Sequence, residues 1–98
     1  MKNLISNLNK LFESRVRLGI MAALMVNDQL DFNALKELLE VTDGNLASHL
    51  KALEQNEIIA VTKQFVGRKP NTTYSVTATG RKDFQQHLTA LEELLKSQ

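Results

Sequence analysis

Residues 31–77 read DFNALKELLEVTDGNLASHLKALEQNEIIAVTKQFVGRKPNTTYSVT, and this stretch decides the fold. Its apolar residues recur first at helical spacing and then at the alternating spacing of strands. The pattern predicts two short amphipathic helices that meet at a tight turn, Val41-Thr42-Asp43, and a two-stranded hairpin directly after them. We therefore expect a mainly α domain with one small β hairpin.

The two central helices are predicted to span residues 32–55 as a helix-turn-helix. Asp31 can cap the first helix, whose apolar stripe is Phe32, Leu35, Leu38 and Leu39. Thr42 or Asp43 can cap the second, whose stripe at i, i+4 and i+7 is Leu46, Leu50 and Leu53. We expect this helix to end near Gln55, with Asn56 adopting the left-handed conformation that closes it.

The hairpin is predicted over residues 58–77. Ile59, Val61 and Phe65 alternate with polar or small residues, as in a half-buried strand. Gly67–Asn71 reads as a loop because of its turn residues, and Tyr74 and Val76 lie on the returning strand. We expect Phe65 and Tyr74 to be core residues, because both occupy apolar strand positions.

Three further helices are predicted outside this stretch. The first is an amphipathic helix through Leu4, Leu8 and Leu11, within residues 1–13. Ser14 can cap a second, nearly all-apolar helix over about residues 15–26, which we expect to be the buried central helix. Thr77 can cap a long helix within residues 78–98, whose heptad-like seam is Phe84, Leu88, Leu91 and Leu95.

Composition excludes several classes of protein. The chain has 98 residues, of which 43% are hydrophobic and 23% charged, as in one ordinary globular domain over residues 1–98. No cysteine is present, so disulfides and thiolate metal sites are excluded. The two histidines, His49 and His87, fall on different predicted helices, and we expect neither a metal nor a cofactor. No membrane span or secretory signal is recognisable, which favours the cytoplasm.

Charge is distributed unevenly along the chain, although the net charge is only +1. Residues 31–57 hold six acidic and two basic side chains, whereas residues 58–82 hold five basic side chains and no acidic one. This pattern concentrates positive charge on the hairpin and on the start of the last helix. A basic surface of this kind suits a polyanion, although an ordinary solvated surface is the alternative.

The second helix of the helix-turn-helix presents a small polar face. With its leucines inward, the outward residues are Gly44, Asn45, Ser48 and Lys51. A helix with such a face can approach base edges in the major groove, and the alternative is a solvated surface. The remaining candidate DNA contacts, in the hairpin and at the start of the second helix of the chain, are Lys63, Arg68, Lys69, Asn71, Arg15 and Arg17. We expect Asp43 to cap its helix and His49 to be a packed residue hydrogen-bonded to backbone.

At this point the residues resemble the winged-helix transcriptional regulators of the MarR/ArsR type, in their small single-domain branch. The matching pieces are TDGNLASHLKALEQNEII, VGRKPNTTYSVT and TATGRKDF. The resemblance implies a homodimer that binds double-stranded DNA, with Thr42–Gln55 as the recognition helix and roughly Val61–Val76 as the wing. Such sequences often have Ser where this chain has Ala47, a basic or polar residue where it has Ser48, and Gly where it has Glu57. The cysteines of metal-sensing relatives are missing here, so metal sensing is not implied.

A homodimer would pair the apolar stripes of the terminal helices across a two-fold axis. The residues expected at that interface are Leu4, Leu8, Leu11, Phe84, Leu88, Leu91 and Leu95. No nucleophile motif, P-loop or paired-carboxylate cluster occurs, so we do not expect an enzyme. The alternative function is a winged helix that assembles with other proteins without binding DNA. The sequence names no operator, regulated gene or small-molecule effector, and it does not distinguish a repressor from an activator.

Overall fold

The computed structural model describes residues 4–97, and within them helices predominate over one small sheet. Two short 3₁₀ helices, Leu4–Asn7 and Lys10–Phe12, come first. The α-helices are α1 Arg15–Met25, α2 Phe32–Leu39, α3 Asp43–Gln55 and α4 Ala78–Lys96. The strands are β1 Leu30–Asp31, β2 Ile59–Val66 and β3 Lys69–Val76. The predicted class, mainly α with a β-hairpin wing formed by β2 and β3, is confirmed.

The N-terminal segment is not the continuous amphipathic helix that the sequence predicted. Asn9 interrupts it in an extended conformation, and its side chain accepts a hydrogen bond from Leu11 N at 2.9 Å. Asn9 N in turn donates to Nδ1 of the buried His87 at 3.0 Å, which ties the segment to α4. An asparagine side chain competes with helical backbone bonding, and the long-range bond to α4 fixes the interruption.

The core forms where α1 packs against α2, α3 and the sheet. Ser14 caps α1 as predicted, accepting from Arg17 N at 3.3 Å. Ile20, Met21 and Leu24 are completely buried on α1, and the core is completed chiefly by Phe12, Leu35, Leu46, Leu50, Leu53, Ile58, Ile59 and Phe84. The prediction that α1 is the central helix is thus confirmed, although its other face, including Leu18, is exposed.

The helix-turn-helix has the predicted bounds and caps. Asp31 accepts from Ala34 N at 2.8 Å at the start of α2, and Thr42 accepts from Asn45 N at 3.2 Å at the start of α3. Glu40 ends α2 in the left-handed conformation, with φ 53°. Leu38, predicted in the buried stripe of α2, is instead 60% exposed, because the face of this helix that packs inward is centred on Leu35.

The end of α3 differs from prediction at one residue. Asn56 has φ −92°, and the left-handed residue is Glu57, with φ 60°. Glu57 N donates to Glu54 O at 2.9 Å and Ile58 N donates to Leu53 O at 3.0 Å, the two hydrogen bonds of a Schellman motif. Asn56 is instead the C-cap residue, and its backbone and side-chain N–H groups both donate to Ala52 O.

The sheet contains a strand that the sequence did not reveal. β1 pairs with β3, Leu30 opposite Tyr74, so the strand order is β1-β3-β2 and all pairs are antiparallel. The predicted loop Gly67–Asn71 is also wrong, because Lys69 already pairs with Val66 and only Gly67 and Arg68 form the turn. Gly67 has φ 66°, as the first central residue of a type II′ turn requires.

The tip of the wing, defined as residues 65–70, extends away from the core. Phe65 is 73% exposed and Val66 is 62% exposed, so the expectation that Phe65 is a core residue is wrong. Strands β2 and β3 extend beyond the part of the sheet that the helices cover. The alternation of apolar and polar residues does not show where that covered part ends. Pro70 lies beyond the end of β1, so its missing N–H leaves no partner unsatisfied.

The start of α4 is held tightly against the base of the wing. Thr77 caps α4 as predicted, accepting from Gly80 N at 2.8 Å, and its hydroxyl donates to Glu57 O at 2.7 Å. A Cβ on Gly80 would lie 2.0 Å from Ile58 O, so the glycine permits this close approach. Thr77 is therefore the predicted cap of α4, and the backbone packs closely at Gly80.

Candidate nucleic-acid interface

The outward face of α3 carries the predicted small polar residues. Gly44, Asn45, Ser48 and Lys51 are all exposed, because the leucine stripe of α3 turns completely inward. A Cβ placed on Gly44 would meet nothing within 4 Å, so none of residues 4–97 crowds the start of this face. The face has the shape and chemistry of a helix that approaches base edges closely.

The acidic residue at the start of α3, Asp43, does not cap the helix as expected, because Thr42 is the cap; it forms an ion pair within the domain instead. Asp43 Oδ1 lies 2.7 Å from Lys36 Nζ on α2, and both side chains are well exposed. Such an ion pair adds little stability. It does, however, offset a negative charge that would otherwise repel phosphate at the N-terminus of α3, where the helix dipole favours anions.

A cleft separates α3 from the wing, and it brings together residues that are distant in sequence. It is lined by Ala47, Leu50, Lys51, Glu54, Val61, Lys63, Thr72 and Tyr74. Lys51 and Lys63, both predicted DNA contacts, thus share one cleft, where Glu54 is the opposing charge. The cleft thus brings one edge of the polar face of α3, at Lys51, beside the base of the wing.

Two polar residues that line this cleft from β3 were not identified from the sequence as candidate contacts. Thr72 and Tyr74 belong to β3, and Tyr74 was assigned to the core although it is only half-buried. Burial raises the pKa of the Tyr74 hydroxyl, and the neighbouring charge of Glu54 raises it further. The hydroxyl therefore keeps its proton and can donate a hydrogen bond into the cleft. The alternating pattern of the strand does not distinguish a side chain that lines a surface cleft from one that is buried in the core.

The basic residues of the wing tip form no ion pair with any residue in the range 4–97. Arg68 occupies the two-residue turn and Lys69 begins β3, and both are exposed. Asn71, predicted in a loop, lies half-buried in β3 opposite Gln64. Among the described residues, both ion pairs lie elsewhere, on α2–α3 and at the end of α4. The two cations are therefore available to an external anion.

The two arginines of α1 have different environments. Arg15 is exposed and lies with Glu40 and Val41 beside the turn before α3. Arg17 turns inward, where its Nε donates to Leu11 O and its Nη1 lies 3.0 Å from His49 Nδ1. Arg17 thus connects the N-terminal segment to α3. The partner of His49 is this guanidinium and not the backbone group that the sequence analysis expected.

The residues predicted for a dimer interface divide into covered and exposed sets. Phe84 is buried, with its ring edge-to-face on Phe12 at 5.1 Å between centroids, and Leu8 and Leu11 are partly buried. Leu88, Leu91 and Leu95 are exposed, Leu95 by 74%. The side chain of Leu4 lies outside the described residues. Ile5, not among the predicted residues, is also exposed and belongs to the segment that packs on α4.

Residues 4–97 contain no group of three histidine or acidic side chains arranged to hold a metal ion. Over the same residues, no helix combines the length and apolar character needed to cross a bilayer. The basic wing and the polar face of α3 remain the most distinctive functional surface.

Comparison with known proteins agrees with this geometry. Residues 16–95 match the family model described as a winged helix DNA-binding domain. An uncharacterized protein of Methanocaldococcus jannaschii is 36% identical over 88 residues, which cover 90% of this chain and 96% of that protein.

Solved structures share the whole arrangement of helices and wing. A transcriptional regulator homologue from Pyrococcus horikoshii OT3 aligns with a TM-score of 0.83 and 28% identity, over 91% of this chain and 88% of that one. A MarR-family protein of Porphyromonas gingivalis W83 has a TM-score of 0.69 at 22% identity, over 89% and 80% of the two chains, a likeness of fold. The predicted resemblance to MarR-type winged-helix regulators is confirmed.

Proposed function

Because the chain belongs to the winged helix DNA-binding domain family, we propose that it is a transcriptional regulator that binds double-stranded DNA as a homodimer. Family and fold point to a regulator and not to an enzyme. The observation that carries the proposal is the cleft between α3 and the wing, where Lys51 of the exposed polar face of α3 and Lys63 of the basic hairpin line the same surface. We infer a cytoplasmic location from this role.

In this proposal α3 enters the major groove. Asn45 and Ser48 supply hydrogen-bonding groups to base edges, and Lys51 contacts a phosphate or a guanine. Gly44 allows the backbone to approach closely at the helix N-terminus, where partial positive charge favours phosphate. Ala47 offers no hydrogen bond, so base reading rests on few side chains of this helix.

The wing supplies the sequence-independent part of binding. Arg68 can contact phosphates in a bidentate manner or enter a narrow minor groove, and Lys69 adds a second cation at the same tip. Lys63 and Asn71 lie nearer the base of the wing, and Arg15 can contact the backbone from the other side of the helix-turn-helix. The inward hydrogen bonds of Arg17 support a structural role for that residue.

The dimer is proposed from the exposed apolar residues of the terminal elements. Ile5, Leu88, Leu91 and Leu95 lie on the segment and helix that pack together, and pairing them across a two-fold axis would remove them from water. Two α3 helices would then address half-sites one helical turn, or about 10 bp, apart.

A winged helix that only assembles with proteins is the second candidate, favoured by the acidic balance of residues 31–57. A gel shift with random-sequence duplex DNA at low salt separates the two. The DNA-binding proposal expects a retarded complex whose affinity falls as salt rises, because bound cations release counterions from the duplex. The assembly role expects no complex at any salt concentration.

A further inference from the structure

The wing carries an apolar side chain where a hairpin that only neutralises phosphates needs none. Phe65 is 73% exposed, whereas Phe12 and Phe84 are buried and Phe32 is half-buried. Arg68 lies in the turn beside it, and Lys69, which pairs with Val66, lies on the other face of the same tip; both cations are exposed. A single exposed apolar residue is common on proteins. Phe65 is notable because it lies at the same tip of the wing as two cations.

The register of the hairpin shows which way Phe65 points. Side chains alternate between the two faces of a sheet, and directly opposed residues share a face. Phe65 is opposite Pro70, and Lys63 is opposite Thr72, so all four lie on one face. Lys63 and Thr72 line the cleft beside α3. Phe65 therefore extends the cleft face outward, about 7 Å beyond Lys63 at the rise of a strand.

The backbone of the tip is also conformationally restricted. The turn needs only Gly67 and Arg68, and Pro70 restricts the backbone directly opposite Phe65. Residues 58–82 contain no acidic side chain, so the tip can approach a phosphate backbone without like-charge repulsion. A stiff apolar tip flanked by cations resembles the wedges with which minor-groove binders separate base pairs.

We propose that Phe65 is an apolar wedge that enters the minor groove of duplex DNA beside the site of α3 and partly unstacks one base step. This proposal rests on the proposed function, since it takes the duplex as the partner of the wing. Arg68 and Lys69 hold the phosphates beside the opened step. Pyrimidine–purine steps unstack most readily, so the wedge favours them and adds sequence preference at a position that α3 does not touch.

The test compares Phe65→Ala with three other variants of the full chain on duplexes of about 30 bp, three helical turns, recovered by selection from a random pool. Each duplex carries 2-aminopurine at one of successive positions, and its fluorescence reports unstacking. Val66→Ala is the matched control, because Val66 is also apolar, is exposed, and points to the opposite face. Arg68→Ala reports on phosphate contacts. Phe65→Leu keeps an apolar side chain in place.

We expect Phe65→Ala to weaken binding roughly 5- to 100-fold at every salt concentration, the range for losing an aromatic that stacks on a base. The slope of log affinity against log salt stays unchanged, because no cation is removed, and the fluorescence rise disappears. Arg68→Ala instead lowers that slope by about 0.9 and keeps the rise. Val66→Ala retains both properties, and Phe65→Leu retains part of the affinity.

Several results would overturn the wedge. One is a Phe65→Ala variant that binds DNA with the affinity of the wild-type chain. Another is a complex of the wild-type chain in which the 2-aminopurine fluorescence does not rise at any position. A change in sedimentation of Phe65→Ala without an unstacking signal would assign the tip to contacts between protein copies instead. If the wild-type chain failed to bind duplex DNA at low salt, the proposed function itself would fail, which is a distinct outcome. Equal thermal midpoints of all variants confirm that folding is unaffected.

Discussion

At the scale of single residues, the sequence alone could not show which residue at the end of α3 adopts the left-handed conformation. The turn requires one left-handed residue, and Asn56 is the better candidate by residue type. The Schellman hydrogen bonds place that conformation on Glu57 instead, because Ile58 must turn inward to pack beside Leu53. A requirement of the core thus overrides a local preference.

Glu57→Gly should stabilise the domain by about 1 kcal/mol, because glycine adopts a left-handed conformation without the steric cost of a Cβ. Urea unfolding followed by circular dichroism measures the change. Glu57→Ala is the control, since it removes the same carboxylate but keeps the Cβ. Equal gains in the two variants would attribute the effect to charge and refute the conformational explanation.

The contact between Arg17 and His49 joins α1 to α3, and together with burial it favours the neutral imidazole. Burial lowers the pKa of His49 below its ordinary value, and the positive charge of Arg17 lowers it further. The neutral ring accepts a hydrogen bond from the guanidinium, whereas a protonated ring would repel it. The unfolded chain therefore binds a proton at His49 more readily than the folded chain does.

The sign of the resulting pH dependence follows from linkage. Stability from neutral His49 is fully present above the unfolded pKa of about 6.5 and is lost as pH falls toward the lower folded value. We expect His49→Gln, which keeps an oxygen acceptor for Arg17, to flatten the rise of unfolding free energy between about pH 5.5 and pH 7. Urea unfolding across that range measures it. An unchanged slope in the variant would contradict the coupling.

At the scale of elements, local chemistry was sufficient wherever a helix begins at a side-chain cap. Ser14, Asp31, Thr42 and Thr77 each accept a backbone hydrogen bond three residues on, as their positions in the sequence predicted. These caps, with the leucine spacing of α3, were enough to predict four of the helices and the polar face of the candidate interface.

Elements that depend on distant partners could not be predicted in the same way. β1 has only two residues and exists because β3 pairs with it. The break at Asn9 depends on His87, which lies 78 residues away. The exposure of Phe65 and Leu38 depends on how far neighbouring elements extend over them. The cleft between α3 and the wing, for the same reason, appears only in three dimensions.

The wing should contribute to the affinity for DNA without distinguishing one DNA sequence from another. We expect the double variant Arg68→Ala/Lys69→Ala to bind all sequences more weakly, with a salt slope reduced by about 0.9 for each phosphate that is no longer neutralised. Titration of labelled duplex at several salt concentrations gives the slope. Lys10→Ala, which removes a cation exposed far from the wing in sequence, is the control. An unchanged slope in the double variant would show that the wing assignment is wrong.

At the scale of the whole molecule, the exposed leucines of α4 should hold two chains together. We expect Leu95→Glu to shift sedimentation at micromolar concentration toward the monomer, because a charge replaces an apolar group at the interface. Leu38→Glu is the matched control, since Leu38 is similarly exposed, by 60% against 74%, but lies on α2. A monomeric wild-type chain, or a Leu95→Glu variant that remains dimeric, would contradict the proposed interface.

The central claim, that a symmetric pair of these chains reads duplex DNA through α3, is tested most directly by selecting bound sequences from a random DNA pool. The account predicts enrichment of two inverted half-sites whose centres lie about 10 bp apart, one helical turn of the duplex. Enrichment of a single asymmetric site would contradict the dimer. No enrichment at low salt would contradict DNA recognition by this chain.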